Sequence, residues 1–229
     1  MELLFARYAG LALLVSSANS SIVSEVSSEL PAPSGLVSCP ASDPAAAAVS
    51  AIATKLGGEF LGCFLSPTKV ATPTTADARS SPVEHAIAIG LHGNAYTLND
   101  LSQQLFKVRD QWKTFDPLDK QSRDKYIARL NDLLANSNAK NVTKIASVSP
   151  VLVSIDQLDS SYYLVTSLRT YTVGADTGRT TFTQVNSDAV VLRHSRLIRL
   201  TIQRTLHDPA DVAQVQTEIT KWAQAIARS

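Results

Sequence analysis

The sequence predicts an α+β protein in which an antiparallel β-sheet meander is packed with helices, and three observations predict it. Between Asn99 and Leu134 apolar residues recur at spacings of three and four, the period of a helix buried along one stripe. Beyond Asn138, β-branched and aromatic residues replace the helix formers in four runs separated by turn residues. The final segment returns to helical spacing, with Val212, Val215, Ile219, Trp222 and Ile226 forming one stripe that needs a sheet to cover. With 229 residues, 45% hydrophobic and 18% charged, a single core is the economical expectation.

Residues 1–18 have the layout of a secretory signal peptide: Arg7, the apolar run Ala9 to Val15, then the small residues Ser16-Ser17-Ala18 before a cut. Glu2 departs from the usual basic start, and an amphipathic first helix is the competing reading. The run is much shorter than the roughly 20 residues a helix needs to cross a bilayer, so no transmembrane anchor is expected. Ser and Pro dominate 19–42, which reads as a flexible linker ahead of one domain over 43–229. Leu36-Val37-Ser38-Cys39 loosely resembles a bacterial lipobox, whose cysteine is acylated, but Glu25, Glu29 and two prolines separate it from the apolar run. A disulfide between Cys39 and Cys63 is the better use of the thiol, and it goes with export to an oxidising compartment, periplasmic or secreted.

Asp43 and Pro44 form an N-cap and first-turn pair for a helix that runs through an alanine-rich stretch to a stop at Gly57. Glu59 to Leu65 reads as a strand, and Ser66 to Pro82 as a Thr/Pro/Ser-rich surface loop. From His85 to Leu91, His85, Ile87, Ile89 and Leu91 alternate with Ala86, Ala88 and Gly90, the pattern of a half-buried strand. Asn99 or Asp100 can cap the next helix, whose face is Leu101, Leu105, Val108 and Trp112. Asp116 and Pro117 open another, with Tyr126, Ile127, Leu130, Leu133 and Leu134 inward.

Val151 to Leu158, Tyr162 to Val173, Thr180 to Leu192 and Leu197 to Leu206 are the four runs of the meander. The connections at Gly174–Gly178 and Arg193–Arg196 are short enough for hairpins. Asp208 caps the closing helix and Pro209 takes its first turn.

Chemistry is sparse. Lys and Arg number 21 against 20 Asp and Glu, a formal net charge of +1 that exerts no global pull on nucleic acid or anionic membrane. Two cysteines without paired spacing do not make a zinc site. Of the histidines, His85 and His92 stand seven positions apart and fall on opposite faces of an extended strand, which argues against joint metal ligation; His194 and His207 carry no motif. There is no Gly-x-Ser-x-Gly elbow, and Gly57-Gly58-Glu59-Phe60-Leu61-Gly62 lacks the lysine of a phosphate loop and reads as a tight turn. No catalytic, cofactor-binding or metal residue is assigned.

One asymmetry stands out in the meander, where Arg169, Arg179, Arg193, Arg196, Arg199 and Arg204 outnumber Asp176 and Asp188. Strand alternation splits them, with Arg199 out of phase with Ile198, Leu200 and Ile202, and Arg204 in phase. An interaction face for an anionic partner would rest on Arg169 and Arg199, with Tyr171 beside them; the competing reading is a solvated polar face.

Ser195-Arg196-Leu197-Ile198-Arg199-Leu200-Thr201-Ile202, then Asp208-Pro209-Ala210-Asp211-Val212 and a Trp222-containing amphipathic helix, resembles exported bacterial proteins of the Mog1/PsbP-like fold. The likeness covers Gly58 to Ser229 in layout and the C-terminal strand and helix in wording. It implies an α-β-α sandwich, a family composed largely of interaction or assembly modules, and no catalytic residue to carry over. The expectation is therefore an exported non-enzymatic module that binds another envelope protein, without a cofactor. A small-ligand carrier and a hydrolase with an unrecognised site are the alternatives.

Overall fold

The computed structural model describes residues 30–39, 46, 49–50, 53–54, 58–66, 85–91, 93, 95–114, 120–121, 124, 127–128, 131–132, 145–174 and 179–229. The segment read as a signal peptide, the first part of the linker, most of the Ser66 to Pro82 loop and His92 lie outside the described residues.

Seven strands make one sheet: β1 (Val37–Ser38), β2 (Gly58–Leu65), β3 (His85–Leu91), β4 (Ile145–Asp159), β5 (Tyr162–Val173), β6 (Thr180–Arg193) and β7 (Arg196–Thr205). Their order is β1-β2-β3-β7-β6-β5-β4, and every neighbouring pair is antiparallel. The expected meander is β4 to β7, and β3 joins its last strand. The first run begins at Ile145, ahead of the expected Val151, because Ile145 and Val148 are both buried against β5.

Helix α1 (Leu98–Thr114) lies between β3 and β4 in sequence, and α2 (Ala210–Arg228) follows β7. They pack on opposite faces of the sheet, and neighbouring residues show how alternation feeds both. In β5, Tyr162 and Leu164 pack with Val215, Ile219, Trp222, Ala223 and Ile226 of α2. Tyr163 and Val165 pack with Leu101, Leu105 and Val108 of α1. The helical residue Val49 meets Ile87 on the α1 side. The architecture is thus α+β, a helix-covered antiparallel sheet, as expected.

The half-buried reading of β3 fails on its small residues. Ala86 and Ala88 are fully enclosed, because their size leaves room under α2 for the larger Phe64 and Trp222, which meet edge to face at 5.6 Å. Gly90 serves a related purpose, since an added Cβ would stand 3.1 Å from Arg196 Nη2 and 3.3 Å from Leu61 Cδ1. Across that glycine Arg196 of β7 reaches Glu59 of β2 in an ion pair.

The second half of the expected linker is not free. Leu30, Pro33 and Cys39 are buried, Trp222 Nε1 donates to the Pro31 carbonyl at 2.8 Å, and Cys39 N–H donates to the Cys63 carbonyl at 2.8 Å. Sequence polarity concealed this because the apolar anchors, Leu30, Pro33, Leu36 and Cys39, are scattered without a helical or strand period, and backbone groups hold the rest. The expected disulfide is present, joining Cys39 and Cys63 with Cα atoms 5.3 Å apart.

Helix ends differ by a residue or two from expectation. Thr97, in place of Asn99 or Asp100, caps α1: Asp100 Oδ2 accepts from the Thr97 N–H (2.8 Å) and hydroxyl (2.7 Å), and Thr97 Oγ1 accepts from the Asp100 N–H (3.3 Å). Asp100 therefore occupies the third helical position of a capping box. At α2, Asp208 Oδ1 accepts from the Ala210 N–H (2.7 Å), as expected of a cap, and Asp211 Oδ2 accepts from the N–H groups of His207 (2.8 Å) and Asp208 (2.9 Å). The β6–β7 hairpin turns through His194 (φ 47°) and Ser195 (φ 60°), the two positive-φ residues of a two-residue turn that matches strand twist.

Candidate functional site

The α1 side of the sheet is polar along its middle, and that stretch is buried. Alternation places Gln184, Asn186 and Asp188 of β6 on this side with Arg199, Thr201 and Gln203 of β7, Arg169 and Ser167 of β5 and His85 of β3. All are buried, Asn186 and Gln203 completely (0% exposed). Register sets them in rows: His85 faces Gln203, which faces Asn186, which faces Ser167; beside that row Gln184 faces Arg169. Helical elements frame this polar floor. Val108 and Trp112 of α1 stand at one end, and at the other the helical residue Asn131 accepts the Ile145 N–H (2.8 Å) and donates to the Ile145 carbonyl (2.9 Å).

Asp188 organises the charged part. Its Oδ1 accepts from Arg199 Nε (3.1 Å), Arg199 Nη2 (2.9 Å) and Thr201 Oγ1 (2.6 Å), and Arg169 Nη2 lies 3.9 Å from Oδ2. Between these groups and α1 is a cavity of about 20 Å³, room for a single water, lined by Val108, Trp112, Tyr163, Val165, Arg169, Asp188, Val190 and Arg199. Burial, reinforced by the Asp188 charge and opposed by Arg199, pushes the Tyr163 phenol well above its ordinary value, so it stays protonated and able to donate.

The three residues expected on an interaction face are therefore on one side of the sheet but inside the protein: Arg169 is 2% exposed, Arg199 7% and Tyr171 0%. Two of them share Asp188, and Tyr171 stacks on Phe182 at 5.5 Å. The other meander arginines go elsewhere. Arg204 pairs with Glu218 of α2 (3.0 Å) and Arg196 with Glu59. His85, His194 and His207 occupy three separate places, namely the first residue of β3, the β6–β7 turn and the connection before α2. Among the described residues no group of three or more His, Cys, Asp or Glu side chains could hold a metal ion.

Sequence reasoning took the polar positions of β6 and β7 for solvent contacts and missed the enclosed amides. A signal was available in residue type: from Ile145 to Thr205 there is not one Lys or Glu, the side chains that solvated strands normally carry.

A second feature is the outer edge of the sheet. β4 is the last strand in the order, and Val151 (56% exposed), Leu152 (36%), Val153 (42%) and Leu158 (58%) are open to solvent along it. Its outer backbone groups have no neighbouring strand among the described residues. No described helix is long and apolar enough to cross a membrane.

No protein-family model and no curated protein matches this chain. One solved structure is similar at 13% identity and a TM-score of 0.28, over 88% of this chain and 80% of the other. It is the crystal structure of LpqN, involved in cell envelope biogenesis of Mycobacterium tuberculosis.

Proposed function

We propose that this protein is an exported, non-enzymatic module that binds another protein of the bacterial envelope through the edge of β4, on a sheet of Mog1/PsbP-like layout. The carrying observation is β4 itself, a long edge strand with three consecutive exposed apolar residues, Val151, Leu152 and Val153. A strand edge takes an extended partner segment through main-chain hydrogen bonds, and side chains beside it supply the selectivity. Such an edge is open to pairing in a monomer, and β4 restricts it with Pro150, with register shifts at Ile145/Ser147, Leu152/Ser154 and Asp156/Asp159 and with the carboxylates of Asp156 and Asp159, which leaves Val151 to Val153 as the apolar stretch. The Cys39–Cys63 disulfide supports placement outside the cytoplasm, where such bonds persist. On this reading residues 1–18 direct export and are removed.

The test is site-specific photocrosslinking in the bacterial envelope with a photoreactive amino acid replacing Leu152, and with the same amino acid at exposed Lys107 of α1 as the control. A discrete adduct from position 152 and none of that mass from position 107 is expected. No adduct from 152, or identical adducts from both, overturns the proposal.

A further inference from the structure

Apart from the β4 edge, we propose that the cavity between Asp188 and α1 is a binding site for a single monatomic anion, held by the guanidiniums of Arg199 and Arg169 and the phenol of Tyr163. Register brings these groups together. Tyr163, Val190 and Arg199 form one cross-strand row, and Val165, Asp188 and Thr201 form the next. The long Arg169 side chain reaches back from two rows further on, to 3.9 Å from Asp188. Val108 and Trp112 of α1 close the chamber over them. At about 20 Å³ it takes one particle of the size of a water and has no room for a carboxylate or a phosphate.

The charges and donors of the wall select the occupant. Among the described residues that line the cavity, two carry guanidiniums and one a carboxylate, so the wall is one charge positive. The Tyr163 hydroxyl, on a residue only 1% exposed, lies in this wall and makes no hydrogen bond to the protein, where Phe would pack as well. Asp188 Oδ1 already accepts from Arg199 and Thr201, which leaves Oδ2 as the carboxylate oxygen able to take another donor. A water here could accept from Tyr163 and donate one hydrogen to Oδ2. Its second hydrogen would face guanidinium and apolar groups and find no acceptor among the described lining residues. A cation would meet two guanidiniums. A halide only accepts: it takes the phenol and guanidinium donors together and offsets the excess positive charge, which is costly to leave unmatched in an interior. Asp188 repels such an ion, and the two guanidiniums together outweigh that repulsion.

The experiment follows the melting temperature of the full-length oxidised protein while chloride, and separately bromide, replaces acetate at constant ionic strength. Crystals grown in bromide then locate the ion by its anomalous scattering. A saturable rise in melting temperature with both halides is expected, with one anomalous peak in the cavity beside Arg199 and Tyr163. Tyr163→Phe, which keeps the ring and loses the hydroxyl, is expected to fold and to need about tenfold more halide for half the effect, the equivalent of one lost hydrogen bond. No halide-specific rise, an identical halide dependence in Tyr163→Phe, or a cavity without anomalous signal overturns the proposal. A bromide peak without any effect in solution marks an adventitious ion only and overturns it as well. The wild-type titration and the anomalous map decide the matter even if the variant does not fold, and neither reads the β4 edge.

Discussion

Asp188 and Arg199 are diagonal neighbours across β6 and β7, and a single carboxylate oxygen of Asp188 takes both the Nε and Nη2 donors of the guanidinium inside the protein. Both side chains are more than nine-tenths buried. Removing one partner of such a pair strands the other charge, at a cost of about 3–5 kcal/mol. Asp188→Ala is expected to lose that much in urea denaturation. Replacing Asp188, Arg199 and Arg169 together by apolar residues should recover much of it, because no charge is then left unmatched.

The Cys39–Cys63 bond closes a loop of sequence separation 24 and fastens β1 to β2. Loop-closure entropy assigns such a bond about 3–4 kcal/mol. The Cys39→Ser/Cys63→Ser variant should show a correspondingly lower denaturation midpoint, and the wild-type protein should react with a thiol reagent only after reduction.

Trp222 joins two parts of the chain far apart in sequence, packing on Phe64 and donating to the Pro31 carbonyl. Trp222→Phe keeps most of the packing and loses the hydrogen bond, an expected cost of about 1 kcal/mol. Trp222→Ala adds a cavity and should cost about 3–5 kcal/mol. In Trp222→Phe, hydrogen exchange should rise selectively around Leu30 to Cys39, showing that the segment is held from α2.

The β6–β7 turn puts a positive φ on His194 and Ser195, a conformation glycine and asparagine adopt more readily. His194→Asn/Ser195→Gly is expected to raise stability by about 0.5–1 kcal/mol, read as a higher melting temperature without a change in circular dichroism.

Hydrogen bonds from the N–H groups of Asp208 and His207 hold the Asp211 carboxyl below its ordinary pKa of 3.8. A depressed folded pKa gives stability that is fully present above the unfolded value and fades as pH falls through the folded one. The difference in melting temperature between wild type and Asp211→Asn should therefore be constant near neutrality and shrink below pH 3.8.

The elements were largely legible in the sequence because hydrophobic period and turn chemistry are local. His85 to Leu91 and Tyr162 to Val173 coincide with β3 and β5, and the stripe from Val215 to Ile226 is the buried face of α2. Cys39 and Cys63 were legible as a pair because no other thiol competes. Burial of the polar side was not. Period-two alternation tells which residues share a side of a strand, but whether water or another element covers that side depends on contacts distant in sequence. Arg169, Arg199 and Tyr171 read as a surface for that reason, and Gln184, Asn186 and Gln203 were passed over. Leu30 to Cys39 was misread in the opposite direction, since scattered anchors and backbone-mediated docking leave no period to read.

The strand order carries a consequence for biogenesis. β3 has β2 on one side, and its other neighbour is β7, so Ala86 waits for Ile202 before its hydrogen-bonded row is complete. A nascent chain that has passed β2 and β3 holds only a two-stranded hairpin and the short β1, too little to be stable alone. The sheet closes when the last strand is inserted at its centre and α2 follows. Until then β3 and β6 each keep one unpaired edge, and the β1–β3 group and the β4–β6 meander have no strand in common to hold them together.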